Sequence, residues 1–414
     1  MTPSPLSSAA HADAMREYAI ERQQAATRLR ARGPLDLDTD GRLAPEILRA
    51  YRTHGFYVFE NVVTPGEISQ LRRAVNDVID RAPARPKSEL DMQGRPAIGR
   101  DHAIEPFVLA KPLSDPWGGT TLLAGRHPTK MAEPTAASDA PEYIVHLIFG
   151  MCMLMPEALR LYGHPGLLAV AASINGDDFV PYNDAIFVKK PGLGASVGWH
   201  QDGATHWDSP AWHADIHGFN FQVQLHATTA ANALWVVPGS HHHGKADIKA
   251  MVAANGGSDM LPDAVPLVCG AGDVTIANRQ IVHGSFANSS PDPRVSITFG
   301  FHERASVLGV AGKLRLAASD TPDPVYDEER IRGASSNHPG CYRCPLAAPA
   351  GRGTLRVSPV RQPCRRLPVR GRDDRSGRDE LQPARSRDLT TEPVGTIQAM
   401  PPAAAHHAAL HHIA

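Results

Sequence analysis

Three side chains with metal-binding chemistry and one fixed cation stand out in this sequence. His200 and Asp202 are separated by a single residue, and His283 and Arg294 follow further along the chain. Two imidazoles and one carboxylate on one face of a metal leave coordination positions open, which suits ferrous iron that must bind a co-substrate and dioxygen. An arginine supplies a permanently charged fork for a carboxylate. If these four residues converge, the site has the groups needed to activate oxygen.

The pair His200/Asp202 is not unique, because a histidine is followed two positions later by an aspartate four times in the chain. Roughly one such pair is expected by chance among 21 histidines. Only His200 and Asp202 directly follow a strand-like segment and precede a small residue, so we favour this pair as metal ligands. The alternatives are His11/Asp13, His206/Asp208 and His213/Asp215.

Short segments of strand character dominate the chain from about residue 185 onwards. Turn signals such as Pro238-Gly239-Ser240 separate them, and no periodic helix intervenes. This pattern predicts a β sandwich or barrel, most simply a jelly roll, in which facing strand ends meet at one mouth. The predicted strands cover residues 185–188, 218–226, 234–237, 265–268, 273–277 and 294–302.

His283 and Arg294 lie at the ends of such strands, with Gly284 and Ser285 beside the histidine. A jelly roll could bring them to one pocket for a cation and an anion. The alternative is a histidine satisfied in the core and an arginine in a surface salt bridge.

The strand with Gln222 leaves a similar choice open. Gln222 and its polar neighbours alternate with apolar residues, which fits either a pocket wall or a water-facing strand.

The N-terminal part of the chain is predicted to be helical. Residues 11–32 are rich in Ala, Arg, Glu and Gln and end at Gly33-Pro34, and residues 45–54 form a second helical stretch. Thr64, with Glu67 three positions later, has the spacing of a capping box, so a third helix begins there. We expect these helices to support the β domain.

The chain divides into three parts by composition. We predict an N-terminal helical extension over residues 1–43, a β domain over 44–311 and a mostly disordered tail over 312–414. Between residues 343 and 388 the tail has twelve arginines and few large apolar residues, so it cannot bury enough apolar surface to fold alone. A basic interaction tail or a reading-frame artefact are the alternatives.

Charge and composition exclude several classes of protein. A formal net charge of −1 argues against general binding to nucleic acids or to a membrane surface. Five cysteines without regular spacing fit a reducing compartment, and we see neither a secretory signal nor an apolar run long enough to span a bilayer. These features predict a cytoplasmic protein with a small-molecule partner, and they leave its oligomeric state open.

From about Arg52 to His302 the sequence resembles the phytanoyl-CoA dioxygenase-like family of iron- and 2-oxoglutarate-dependent oxygenases. One departure lies in a turn, where the family commonly has Asn-Gly and this chain has Ala231-Asn232. The segments that carry the resemblance are Gly55-Phe56-Tyr57-Val58, His200-Gln201-Asp202, Leu234-Trp235-Val236-Val237-Pro238-Gly239-Ser240-His241, Gly272-Asp273-Val274 and His283-Gly284-Ser285 with Asn288, Ser290 and Arg294.

The resemblance implies a double-stranded β-helix, or cupin-like jelly roll, and assigns a role to each site residue. His200, Asp202 and His283 would bind Fe(II), while Arg294 and Ser285 would hold the distal carboxylate of the co-substrate 2-oxoglutarate. Gln201 would reach the co-substrate or the substrate.

With O2, such a site would most simply hydroxylate a C–H bond of a small organic molecule and release succinate and CO2. Related halogenating enzymes lack the carboxylate, so the presence of Asp202 favours oxidation over halogenation. The alternatives are a cupin-like metal-binding protein without catalysis, such as a sensor or carrier, and redox-neutral chemistry on the same fold.

Overall fold

The computed structural model of the protein describes residues 7–100, 102, 105–202, 218–309 and 327–328. Two of the alternative metal pairs, His206/Asp208 and His213/Asp215, lie outside the described residues. The predicted C-terminal tail over 312–414 also lies outside them, apart from residues 327 and 328.

The larger of two β-sheets contains eight strands. They are β1 (Arg32–Pro34), β2 (Phe56–Glu60), β3 (Phe107–Ala110), β4 (Ile144–Phe149), β5 (Phe179–Lys189), β7 (Phe219–Gln224), β10 (Val274–Asn278) and β12 (Arg294–Glu303). Their order across the sheet is β1-β2-β10-β7-β12-β5-β4-β3. All neighbouring strands are antiparallel except β1 and β2, which are parallel.

The smaller sheet contains four antiparallel strands. They are β6 (Val197–His200), β8 (Leu234–Val236), β9 (Val265–Leu267) and β11 (His283–Ser285), in the order β6-β11-β8-β9. Residues of both sheets line one cavity between them. This open jelly-roll arrangement confirms the predicted fold class, with the qualification that the sheets do not close into a barrel.

The side chains of β7 show why this strand forms and which way it faces. Phe219, Phe221 and Val223 belong to the main hydrophobic core, whereas Gln222 lines the cavity on the opposite face. Because successive side chains of a strand point to opposite faces, the polar set of β7 turns inward together. The pocket-wall interpretation of this strand is therefore confirmed, and the water-facing one is wrong.

Three of the described helices agree with the sequence-based expectations. The helices are α1 (Ser8–Arg28), α2 (Pro45–His54), α3 (Pro65–Asp80), α4 (Met151–Leu154), α5 (Pro156–Tyr162), α6 (Pro165–Asn175), α7 (Ile248–Ala254) and α8 (Arg304–Val307). Of these, α1, α2 and α3 correspond to the predicted ones. The capping box at α3 is formed, with the Thr64 hydroxyl accepting from the Glu67 backbone N–H and the Glu67 carboxylate accepting from the Thr64 N–H.

The segment predicted as an N-terminal extension contacts both sheets. β1 pairs with β2 at the edge of the large sheet. On α1, Met15 and Tyr18 pack into a second hydrophobic cluster with residues of the small sheet, and the Tyr18 ring stacks on Trp235 at a centroid distance of 4.7 Å. Such stacked aromatic pairs contribute about 0.5–1.5 kcal/mol beyond the area that they bury.

Helices α4 to α8 and strands β3 and β4 were not predicted, and α7 lies among the strands where no helix was expected. The apolar run from Tyr143 to Met155 contains β4 and α4, separated by Gly150 in a left-handed conformation with φ of 66°. An apolar run without periodicity does not distinguish a buried strand from a buried helix.

Among the described helices, none is both long and apolar enough to cross a membrane.

Candidate metal centre

The pairing of β6 with β11 brings the three proposed metal ligands together. His283 opens β11 directly opposite His200 at the end of β6, and Asp202 follows two residues later. One ligand atom from each of the three residues lies within 4.8 Å of the others. In the part of the chain that the structure describes, no other group of three histidine, cysteine or acidic residues has this geometry.

Backbone hydrogen bonds fix both imidazole rings in the orientation that a metal needs. Nδ1 of His200 lies 2.8 Å from the Gly198 carbonyl oxygen, and Nδ1 of His283 lies 2.9 Å from that of Ile281. Because a carbonyl oxygen can only accept, each ring donates its Nδ1–H to the backbone, and Nε2 is the ring nitrogen that faces Asp202. The two Nε2 atoms lie 3.4 and 3.7 Å from the carboxylate oxygens of Asp202. Metal-binding histidines are commonly held in this way.

A buried polar chain orients the Asp202 carboxylate from β7. The Asn220 amide nitrogen donates to Oδ2 of Asp202 at 2.7 Å, and its oxygen accepts from the Arg279 guanidinium at 2.8 Å. The backbone carbonyl oxygen of Arg279 also accepts from the Asp202 N–H at 2.7 Å. Gly300 on the neighbouring strand leaves room for this amide, since a Cβ there would stand 2.6 Å from the Asn220 oxygen.

Arg126 and His127, which precede β4 in the chain, complete the surroundings of the metal site. Arg126 donates to Oδ1 of Asp202 at 3.1 Å, and both side chains of this ion pair are 4% exposed. The His127 ring stacks on His200 at a centroid distance of 4.1 Å. Neither residue was anticipated, because nothing in their local sequence distinguishes them from the rest of the long segment that contains them.

The electrostatics of the site favour the protonation states that bind a metal. Burial alone would raise the pKa of Asp202, but Arg279, His283, His200 and Arg126 together hold it well below its usual value. Burial, reinforced by His200, lowers the pKa of His283 to about 3. The carboxylate is therefore ionised and this imidazole neutral at physiological pH, as metal coordination requires.

Arg294 and Ser285 line the same cavity as the three ligands. Arg294 is 2% exposed, and burial lowers its pKa to about 10, so it keeps its charge at neutral pH. One amino group of its guanidinium donates to Oε1 of Gln222 at 2.7 Å. Its Nε, also buried, has no acceptor among the described residues. The surface-salt-bridge alternative for Arg294 is therefore wrong.

Gln201 does not reach the cavity, so the geometry does not support its predicted role. Its amide nitrogen donates to the carbonyl oxygens of Gly244 and Gln280, and its oxygen accepts from the Ala246 N–H. Gln201 points away from its two neighbours, as its extended backbone predicts, but towards a loop. These hydrogen bonds hold the backbone of residues 244 and 246 next to the proposed metal ligands.

The donor set fits Fe(II) and 2-oxoglutarate. Two imidazoles and one carboxylate form the ligand set that non-haem ferrous oxygenases use. The buried guanidinium in the same cavity, with an N–H left over, suits the far carboxylate of a dicarboxylic co-substrate.

The arrangement of the cavity agrees with the comparison with known protein families. The family model described as phytanoyl-CoA dioxygenase matches residues 51–296, which is more than half of the chain. No match to a curated protein sequence was found.

Several solved structures are similar to the chain at low sequence identity. EctD from S. alaskensis, solved with 2-oxoglutarate and 5-hydroxyectoine, is 20% identical, with 70% of this chain and 84% of that chain covered and a TM-score of 0.45. AviO1 from Streptomyces viridochromogenes is 20% identical over 70% of this chain and 99% of that chain, with a TM-score of 0.44. The carbocyclase SnoK from nogalamycin biosynthesis is 20% identical over 71% and 97%, with a TM-score of 0.43.

At TM-scores below 0.5 these similarities add nothing to the family match. The match covers both histidines, the aspartate and the arginine of the cavity. The chain therefore belongs to the phytanoyl-CoA dioxygenase family, whose members are oxygenases that use Fe(II), 2-oxoglutarate and O2.

Proposed function

We propose that this oxygenase hydroxylates a C–H bond of a small organic substrate. One oxygen atom of O2 enters the substrate as a hydroxyl group. The other enters succinate, which is released together with CO2 when 2-oxoglutarate is oxidatively decarboxylated. The observation that supports this proposal most directly is the meeting of His200, Asp202 and His283 in one cavity with Arg294.

In this proposal His200, Asp202 and His283 hold the iron. Iron and 2-oxoglutarate, when bound, supply the oxidising power that no amino-acid side chain can provide. The protein orients the ligands: two backbone carbonyls fix the imidazole rings, and Asn220 fixes the carboxylate. These three ligands would leave coordination positions of the iron for the co-substrate and dioxygen.

Arg294 and Ser285 would hold the distal carboxylate of 2-oxoglutarate. Arg294 is buried, charged and only partly satisfied, so a carboxylate that accepts from it gains charge-assisted hydrogen bonds in a dry environment. Ser285 lies two residues after His283 on β11, and it lines the same cavity. A metal sensor or carrier needs no such anchor beside its metal, so Arg294 favours catalysis.

The carboxylate of Asp202 favours hydroxylation over halogenation. With iron bound, the Asp202 carboxylate would take a coordination position that a halide would need. Asn220 donates to one of its oxygens and Arg126 to the other, so the surroundings are built to hold a carboxylate here. Mass spectrometry of the product formed under isotopically labelled dioxygen tests the transfer of one oxygen atom.

The ligand assignment is tested by His200→Ala and Asp202→Ala. We expect both variants to lose stoichiometric Fe(II) binding and to release no succinate from 2-oxoglutarate under iron and oxygen. His242→Ala, which removes an exposed histidine outside the cavity, is the matched control and should keep both properties. Succinate release by either ligand variant at the wild-type rate would refute the assignment.

A further inference from the structure

The side-chain amide of Gln222 lies beside the buried guanidinium of Arg294 in the wall of the cavity. Its oxygen accepts from Arg294 at 2.7 Å and from the amide nitrogen of Gln224 at 3.1 Å. Its nitrogen lies 3.4 Å from the hydroxyl of Thr298. Two donors thus meet at the same atom of the amide. Because a guanidinium can only donate, this atom is the oxygen rather than the nitrogen.

We infer that Gln222 is the positioning residue of the co-substrate anchor: it orients Arg294 and, because it is neutral, leaves the positive charge of the arginine for 2-oxoglutarate. The inference rests on the proposed role of Arg294. Gln222 itself is 7% exposed, and both of these side chains line the cavity.

The N–H donors of one guanidinium can bind different acceptors. Arginine has five N–H donors in a rigid plane, so fixing one of them fixes the direction of all the others. Gln222 uses one donor, and the buried Nε remains without an acceptor among the described residues. A neutral acceptor orients the fork but does not cancel its charge, whereas a carboxylate in the same place would do both.

This distinction can be tested with two nearly isosteric substitutions. Gln222→Met removes the acceptor, so Arg294 keeps its charge and loses its orientation. Gln222→Glu keeps an acceptor for Arg294 and for Gln224 but adds a negative charge that competes with the carboxylate of 2-oxoglutarate. We expect the dissociation constant of 2-oxoglutarate to rise about tenfold in the first variant and about a hundredfold in the second.

The melting temperature of the protein without 2-oxoglutarate should rank the two variants in the opposite order. The carboxylate that Gln222→Glu introduces is paired with Arg294, so this variant should melt above Gln222→Met while it binds the co-substrate more weakly. A purely structural role would rank the variants identically in both measurements. Binding is followed by calorimetry on the anaerobic Fe(II) protein, which needs no turnover and no identified substrate.

Gln70→Glu is the matched control, because Gln70 also accepts a hydrogen bond from an arginine, Arg160 at 3.1 Å, but on the exposed surface of α3. It should leave the affinity for 2-oxoglutarate unchanged. If either variant at position 222 fails to fold, Gln222→Asn provides the test, because it withdraws the oxygen from Arg294 by one methylene and should weaken binding about tenfold.

The outcomes separate this inference from the proposed function. Wild-type protein that does not bind 2-oxoglutarate with Fe(II) would overturn both. Wild-type binding together with wild-type affinity in Gln222→Met, or with Gln222→Glu binding as tightly as Gln222→Met, would overturn only the role of Gln222. The crossed order of affinity and melting temperature would support it.

Discussion

Asn220 offers the clearest test of how the fold prepares the metal site. The substitution Asn220→Leu keeps the approximate size of the side chain and removes both of its hydrogen bonds. Oδ2 of Asp202 then loses the 2.7 Å donor that holds it, and Arg279 loses the acceptor at 2.8 Å. A hydrogen bond to a charged group contributes about 1.5–3 kcal/mol, and residues that orient metal ligands typically change metal affinity by about 10–100-fold.

We therefore expect Asn220→Leu to weaken Fe(II) binding by about 10–100-fold, or about 1.4–2.7 kcal/mol. The assay is anaerobic competition with a chromogenic chelator in the absence of 2-oxoglutarate, alongside thermal unfolding to show that the variant is folded. Asn255→Leu serves as the control, since the Asn255 side chain also makes two hydrogen bonds, both donated to backbone carbonyls, but lines no part of the cavity. A folded Asn220→Leu variant with wild-type iron affinity would show that Asp202 needs no support from β7.

Two further predictions concern the anchor and the N-terminal helix. Arg294→Lys keeps a charge but loses the planar fork and the bond to Gln222, so the KM for 2-oxoglutarate should rise about 10–100-fold in steady-state assays. Burial lowers the pKa of His11 on α1 below 6.5. As the pH falls, the unfolded chain therefore binds a proton at this histidine before the folded protein does, so the contribution of His11 to stability is fully present above about pH 6.5 and is lost below it. His11→Met should flatten this fall in melting temperature between about pH 7 and about pH 5. An unchanged slope would assign the fall to other groups. Asp259 is not one of them, because burial raises the pKa of its carboxyl and its effect on stability therefore has the opposite sign.

The features predicted correctly from the sequence depend on local pattern. Alternation of apolar and polar residues marks β7, and the capping box at Thr64 marks the start of α3, because both follow from the geometry of a single element. His200 and Asp202 were separated from similar pairs by the same means, as they directly follow a strand. For His283 and Arg294, local pattern left open a core histidine and a surface salt bridge, and the resemblance to a family was needed before a third metal ligand and a co-substrate anchor could be proposed.

The features that were missed depend on contacts between distant segments. Arg126 and Arg279 approach Asp202 from opposite directions in the sequence, 76 and 77 residues away. Neither has a neighbour in the sequence that would mark it. For Gln201, the extended backbone indicated that the side chain points away from His200, but only the tertiary structure places the backbone of Gly244 next to its amide.

The strand β7 carries the two amides that contact Asp202 and Arg294, and both amides belong to residues that line the cavity. Asn220 donates to Asp202, and Gln222, two residues further along, accepts from Arg294. Alternate residues of a strand lie about 6.6–6.8 Å apart on the same face. Because β7 is hydrogen-bonded to β10 on one side and to β12 on the other, this spacing cannot relax independently of the sheet. A shift of the register by one residue would turn both amides into the hydrophobic core. The spacing between the two amides that contact Asp202 and Arg294 is thus set by the backbone of the sheet.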